Sequence, residues 1–69
     1  MIKLYRDGQH PRNWVAYIPN VGWVAFPARE HGWDHRTPAS GLDPLFLREV
    51  PLQQGCSAGV PQTEFLRAA

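Results

Sequence analysis

The densest group of chemistry-bearing side chains in this chain is Glu30-His31-Gly32-Trp33-Asp34-His35. His31 and His35 stand four apart, with Glu30 and Asp34 beside them. On a helix that spacing would bring both imidazoles to one face, as a zinc site requires. Gly32 interrupts the pair, the flanks carry no helical periodicity, and no glutamate follows in an HExxH arrangement. A third ligand would have to come from Asp34, His10 or Cys56, and nothing in the spacing fixes their distance. The expectation is no metal and no cofactor, with His31 and His35 as weak candidates in a solvated polar loop.

Nucleophilic chemistry has less to work with. Cys56 lies in Gly-Cys-Ser-Ala-Gly, without the local base or helix N-terminus that lowers a thiol's pKa. Ser40 and Ser57 lack the strained-turn signature of a serine nucleophile. The six acids fall in loops or on expected surface, and so short a chain is poorly placed to enclose a preorganised, water-free pocket. We therefore expect no catalytic residue and no enzymatic activity.

Aromatic and basic residues offer more. Lys3, Arg6, Arg12, Arg29 and Arg36 flank a region carrying Trp14, Tyr17, Trp23 and Trp33. Aromatics beside arginines on a small β-sheet are the means by which single-stranded nucleic acid is stacked and tracked. The net charge is only +1 and Asp7, Glu30, Asp34 and Asp43 are interleaved, whereas salt-linked affinity needs a basic surplus. Nucleic-acid binding is accordingly the alternative and not the favoured reading. Trp, Tyr and Arg are also the residues that dominate protein interfaces. The binding candidates are Trp14, Tyr17, Trp23, Arg29, Trp33 and Arg36, and the expected occupant is a protein partner or a second copy of the chain.

The elements that must position these residues follow from the prolines, at 11, 19, 27, 38, 44, 51 and 61. Each removes a backbone donor and blocks a helix or a central strand, so short strands between turns are the natural outcome. Residues 2–6 alternate as a first strand, with Ile2 and Leu4 on one face and Lys3 and Tyr5 on the other, ending at the Asp7-Gly8 turn pair. The pattern Trp-Val-Ala-aromatic then occurs at 14–17 and again at 23–26, separated by Pro19-Asn20-Val21-Gly22. Asn and Gly there predict a three- or four-residue hairpin loop with Gly22 in the left-handed region.

With Asn20-Val21-Gly22 as the loop, Trp14, Ala16, Ile18, Val24 and Phe26 share one face. Val15, Tyr17, Trp23 and Ala25 share the other. A one-residue slip would exchange faces, yet both faces stay apolar in either register. A half-exposed antiparallel strand should alternate apolar with polar. The hairpin 14–27 is therefore either covered on both sides or presents an aromatic surface to a partner.

Residues 28–41 show neither periodicity and read as a long irregular loop. Asp43-Pro44 reads as a cap followed by a first-turn proline, with a short helix, a 3-10 turn or a strand through 44–50. Residues 53–61 read as Gly- and Ser-containing linker within a loosely structured 53–69 segment, in which Thr63 is a candidate cap for a final turn. The expected fold is thus one small, mainly β domain over 1–69, a small antiparallel sheet or an SH3-like barrel of three to five short strands. A sole cysteine suits a reducing compartment, and Met-Ile-Lys-Leu-Tyr-Arg-Asp lacks the apolar core of a signal peptide. With no stretch approaching a membrane span, the expectation is a cytoplasmic protein that does not engage a membrane.

Overall fold

A computed structural model of the chain describes residues 3–61. Ile2 of the expected first strand and the Thr63 cap lie outside those residues. The described residues form five strands: β1 (Leu4–Asp7), β2 (Asn13–Ile18), β3 (Gly22–Pro27), β4 (Thr37–Pro38) and β5 (Leu47–Val50). They also hold one helical turn, α1 (Leu52–Gly55), and three 3-10 turns. The expected mainly β class is what is found. Every strand pair is antiparallel, in the order β4-β3-β2-β1-β5. The chain therefore steps outward from β1 to β4 and then returns to place β5 on the far side of β1. Among the described residues no ladder joins β4 to β5, so the sheet is open and not a closed barrel. Its edges are blunted by a two-residue strand containing Pro38 and by Arg48 and Glu49 on β5, features that discourage edge-to-edge association.

The hairpin sets the register. Tyr17 pairs with Trp23, Ala16 with Val24, Trp14 with Phe26 and Ile18 with Gly22, giving the face assignment expected of a three-residue connection. The connecting residues are Pro19, Asn20 and Val21, one position earlier than the loop read from sequence. The Val21 N–H donates to the Ile18 carbonyl at 3.0 Å, closing the turn. Proline presets the second turn position, and Asn20 supplies the positive φ of 71° at the third, as a type II turn demands. Gly22 follows at φ 104°.

One face of the sheet holds the core. Leu4, Ala16, Val24 and Val50 form a row across four strands, with Trp14 and Phe26 beside it. Phe26 is 1% exposed; burying such a side chain contributes about 2–3 kcal/mol. Trp14 and Trp33 both meet it edge-on, with ring centroids 6.3 and 4.9 Å away.

Two segments read as irregular turn out to be the lid of this core. Within 28–41, a 3-10 turn at Gly32–His35 carries Trp33 inward, and Thr37–Pro38 adds the edge strand. Gly32 is required there, because a Cβ would lie 1.8 Å from the Pro27 carbonyl oxygen. Within 53–61, α1 leads into a 3-10 turn at Cys56–Ala58 and delivers Ala58 and Val60 to the core. The 44–50 segment divides between both readings. Asp43 accepts from the Leu45 N–H at 3.0 Å and caps a 3-10 turn over Pro44–Phe46, and β5 follows at once.

Candidate functional site

With the core on one face, the other face of the sheet carries Tyr5, Tyr17 and Trp23 by strand alternation alone. Tyr17 and Trp23 are direct cross-strand partners, ring centroids 5.5 Å apart and planes at 65°. Tyr5 is in register with Ala25 two strands away, which leaves its backbone about 12 Å from that of Trp23 at ~4.8 Å per strand and ~3.3 Å per residue. Their ring centroids are nonetheless 5.7 Å apart, tilted at 53°. The two rings lean toward one another across β2, where Val15 on this outward face is 1% exposed.

The three rings and Lys3 line an open groove of about 260 Å³. Tyr17 is 48% exposed, while Tyr5 and Trp23 are half-buried. Among the described residues, no hydrogen bond engages either phenol hydroxyl, the Trp23 indole N–H or the Lys3 ammonium, and Lys3 has no ion-pair partner. An apolar body with an unspent polar tip is the form that aromatic residues take at interfaces.

A second groove, of about 530 Å³, opens at the base of the same hairpin and is lined by Pro11, Arg12, Asn13, Pro27, Ala28 and Arg29. The Ala28 N–H donates to the Arg12 carbonyl at 2.9 Å, extending the hairpin ladder and making the two arginine-bearing strands neighbours. Both arginines are exposed and, among the described residues, neither has an acidic partner.

The six binding candidates divide. Tyr17 and Trp23 come together in the aromatic groove, and Arg29 lines the basal one. Trp14 and Trp33 are 8% and 5% exposed and belong to the core, because their register and the Gly32 turn direct them against Phe26. They cannot act as contact residues on a free surface. Arg36 is spent on Trp33: its guanidinium lies 4.6 Å from the ring centroid and donates to the Trp33 carbonyl at 2.8 Å. Tyr5 and Lys3, which were not among the candidates, line the same groove as Tyr17 and Trp23. The available signal was their parity with Tyr17 once β1 pairs with β2, but that pairing is not readable from β1 alone.

The histidine pair is dispersed along an exposed turn. His31, at φ 61°, lies 3.5 Å from Glu30 and 3.8 Å from Asp34 through its two ring nitrogens. Among the described residues no three potential metal ligands converge. Cys56 is exposed and unpaired, and the Ser57 hydroxyl donates to the Gln54 carbonyl at 2.7 Å. No helix among the described residues is long and apolar enough to cross a membrane. Compared with known proteins, the chain matches no family model, no curated protein and no solved structure.

Proposed function

We propose that this chain is a small, non-enzymatic interaction module that docks a protein partner on the outward face of its hairpin. The observation that carries this reading is the Tyr5-Tyr17-Trp23 cluster. It lies on the sheet face opposite a core that already has its own aromatic packing, and Tyr17 remains 48% exposed. Exposed aromatic clusters of this kind are where interface energy concentrates. Nucleic acid is less well supported. The rings are tilted at 53° and 65° and do not form a parallel stacking platform, and the net charge is +1.

Two measurements test the proposal. A photo-crosslinking residue at position 17 should trap a protein in cells, whereas one at the exposed Gln53 on α1 should not. Iodide should quench Trp23 but not Trp14 or Trp33, and a bound partner should remove that quenching. Equal labelling from both positions, or from neither, would count against the reading. Sedimentation settles whether the trapped protein is a second copy.

A further inference from the structure

We infer that the partner segment is an extended acidic peptide, one of whose carboxylates is held between Arg12 and Arg29 while an apolar residue covers Tyr17 and Trp23. The inference rests on the proposed docking face and adds the chemistry and spacing of its occupant. It comes from the relation between the two grooves. Both belong to one hairpin, the aromatic groove near the turn and the arginine groove at the base.

Tyr17 and Asn13 stand four residues apart on β2 and share its outer face, about 13 Å at ~3.3 Å per residue; Arg29 keeps that parity beyond Pro27, and Arg12 reaches the same groove from the turn before β2. An extended peptide covers that distance in about four to five residues. Charge complementarity selects its sign. Lys3 sits in the aromatic groove and, in the other, two arginines that have no acidic partner among the described residues. Guanidinium forks are suited to a carboxylate, which each can engage through paired N–H donors, and the Asn13 amide adds a further donor. Pro11 and Pro27 stiffen the floor, since each fixes its own φ. Glu30 adjoins Arg29 in sequence and Asp34 follows in the next turn, both exposed. A single carboxylate can pass these acids at low cost, whereas a polyanionic backbone would be repelled along its length. A protein carboxylate is thus favoured over nucleic acid.

The test uses the full chain, isotope-labelled, with capped peptides in an Ala/Ser host. Each peptide carries one Leu-Pro pair and one Glu, separated by two to seven residues in either order. Affinity should peak at a separation of four to five residues, with resonances of Tyr17, Trp23, Arg12 and Arg29 shifting together. Glu→Gln in the best peptide should weaken binding about tenfold, the effect of ~1.4 kcal/mol. The Arg12→Gln/Arg29→Gln double variant should bind the Glu and Gln peptides alike. Both side chains are exposed, so the variant should keep its fold, checked by its own spectrum. Ring-dependent binding indifferent to Glu, or to the two arginines, would overturn the inference and leave the docking face standing. Silence at both grooves, with crosslinking at position 17 intact, would do the same. Tighter, arginine-dependent binding of a mixed single-stranded oligonucleotide at about 50 mM salt would overturn it in favour of nucleic acid. Silence of the peptides together with failed crosslinking would remove both readings.

Discussion

The two faces of the β2–β3 hairpin have nearly the same composition and different fates. On the inner face, Trp14 and Phe26 are directly paired and lie 8% and 1% exposed. On the outer face, Tyr17 and Trp23 are also directly paired, yet Tyr17 is 48% exposed. The strands do not cause the difference. It comes from segments outside the hairpin: the Gly32 turn and the Cys56–Ala58 turn both fold onto the inner face and bring Trp33, Ala58 and Val60 with them. No comparable segment among the described residues covers Tyr17 on the outer face, which stays 48% exposed. An aromatic pair is core or interface according to what the rest of the chain lays over it.

The largest test of that contrast is a truncation on the inner face. Phe26→Ala removes a side chain packed against two tryptophans and should cost about 3–5 kcal/mol, on the order of the whole stability of so small a domain. Urea titration should find it largely unfolded under conditions where wild type is native. A native Phe26→Ala protein would mean that the inner face is not the core. Gly22→Ala comes next. The added methyl meets nothing within 4 Å, so the penalty isolates the φ of 104°; about 1–3 kcal/mol is expected from thermal melts. An unchanged melt would show that the turn relaxes freely and that hairpin register is held by side chains alone.

Arg36→Ala and Arg29→Ala sharpen the contrast at smaller scale. Arg36 lies over a core tryptophan at 4.6 Å, and its loss should lower stability by about 0.5–1 kcal/mol. Arg29 contributes no side-chain hydrogen bond among the described residues, so its removal should leave the melt unchanged. Two arginines that look equivalent in the sequence are thereby assigned to the core lid and to the basal groove.

The sequence conveyed the hairpin because its information is local: a repeated Trp-Val-Ala-aromatic pattern and the turn-forming Pro-Asn-Val-Gly stretch between the two copies. It also conveyed that both faces were apolar. It did not convey which face would be covered, because the covering residues, Trp33, Ala58 and Val60, lie in segments without periodicity. Trp33 in particular depends on one glycine, since a Cβ at position 32 would fall 1.8 Å from the Pro27 carbonyl oxygen. A close approach between residues five apart in an irregular turn leaves no pattern to read. The same holds for Tyr5. Its place beside Trp23 arises from a strand pairing and from two rings leaning across β2, neither of which is encoded near residue 5. Asp43, by contrast, was legible as a cap because the carboxylate and the N–H that it accepts from are two residues apart.

The substitution most informative about function lies on the outer face. Tyr17→Ser removes a ring that is 48% exposed and whose described aromatic contact is its pair with Trp23, so stability should fall by about 0.5–1.5 kcal/mol, the worth of that pair. The same change should abolish ring-dependent peptide binding and the crosslink from neighbouring outer-face positions, because Tyr17 is one wall of the groove and Trp23 the other. A large loss of stability would instead place Tyr17 among the residues that hold the sheet together. The outer cluster would then be a second, smaller core, and its tilted rings would be explained by packing alone. Full stability with unaltered binding would move the docking surface off the hairpin. Only a folded, binding-deficient Tyr17→Ser protein separates the outer pair from the inner one in the manner that their burial implies.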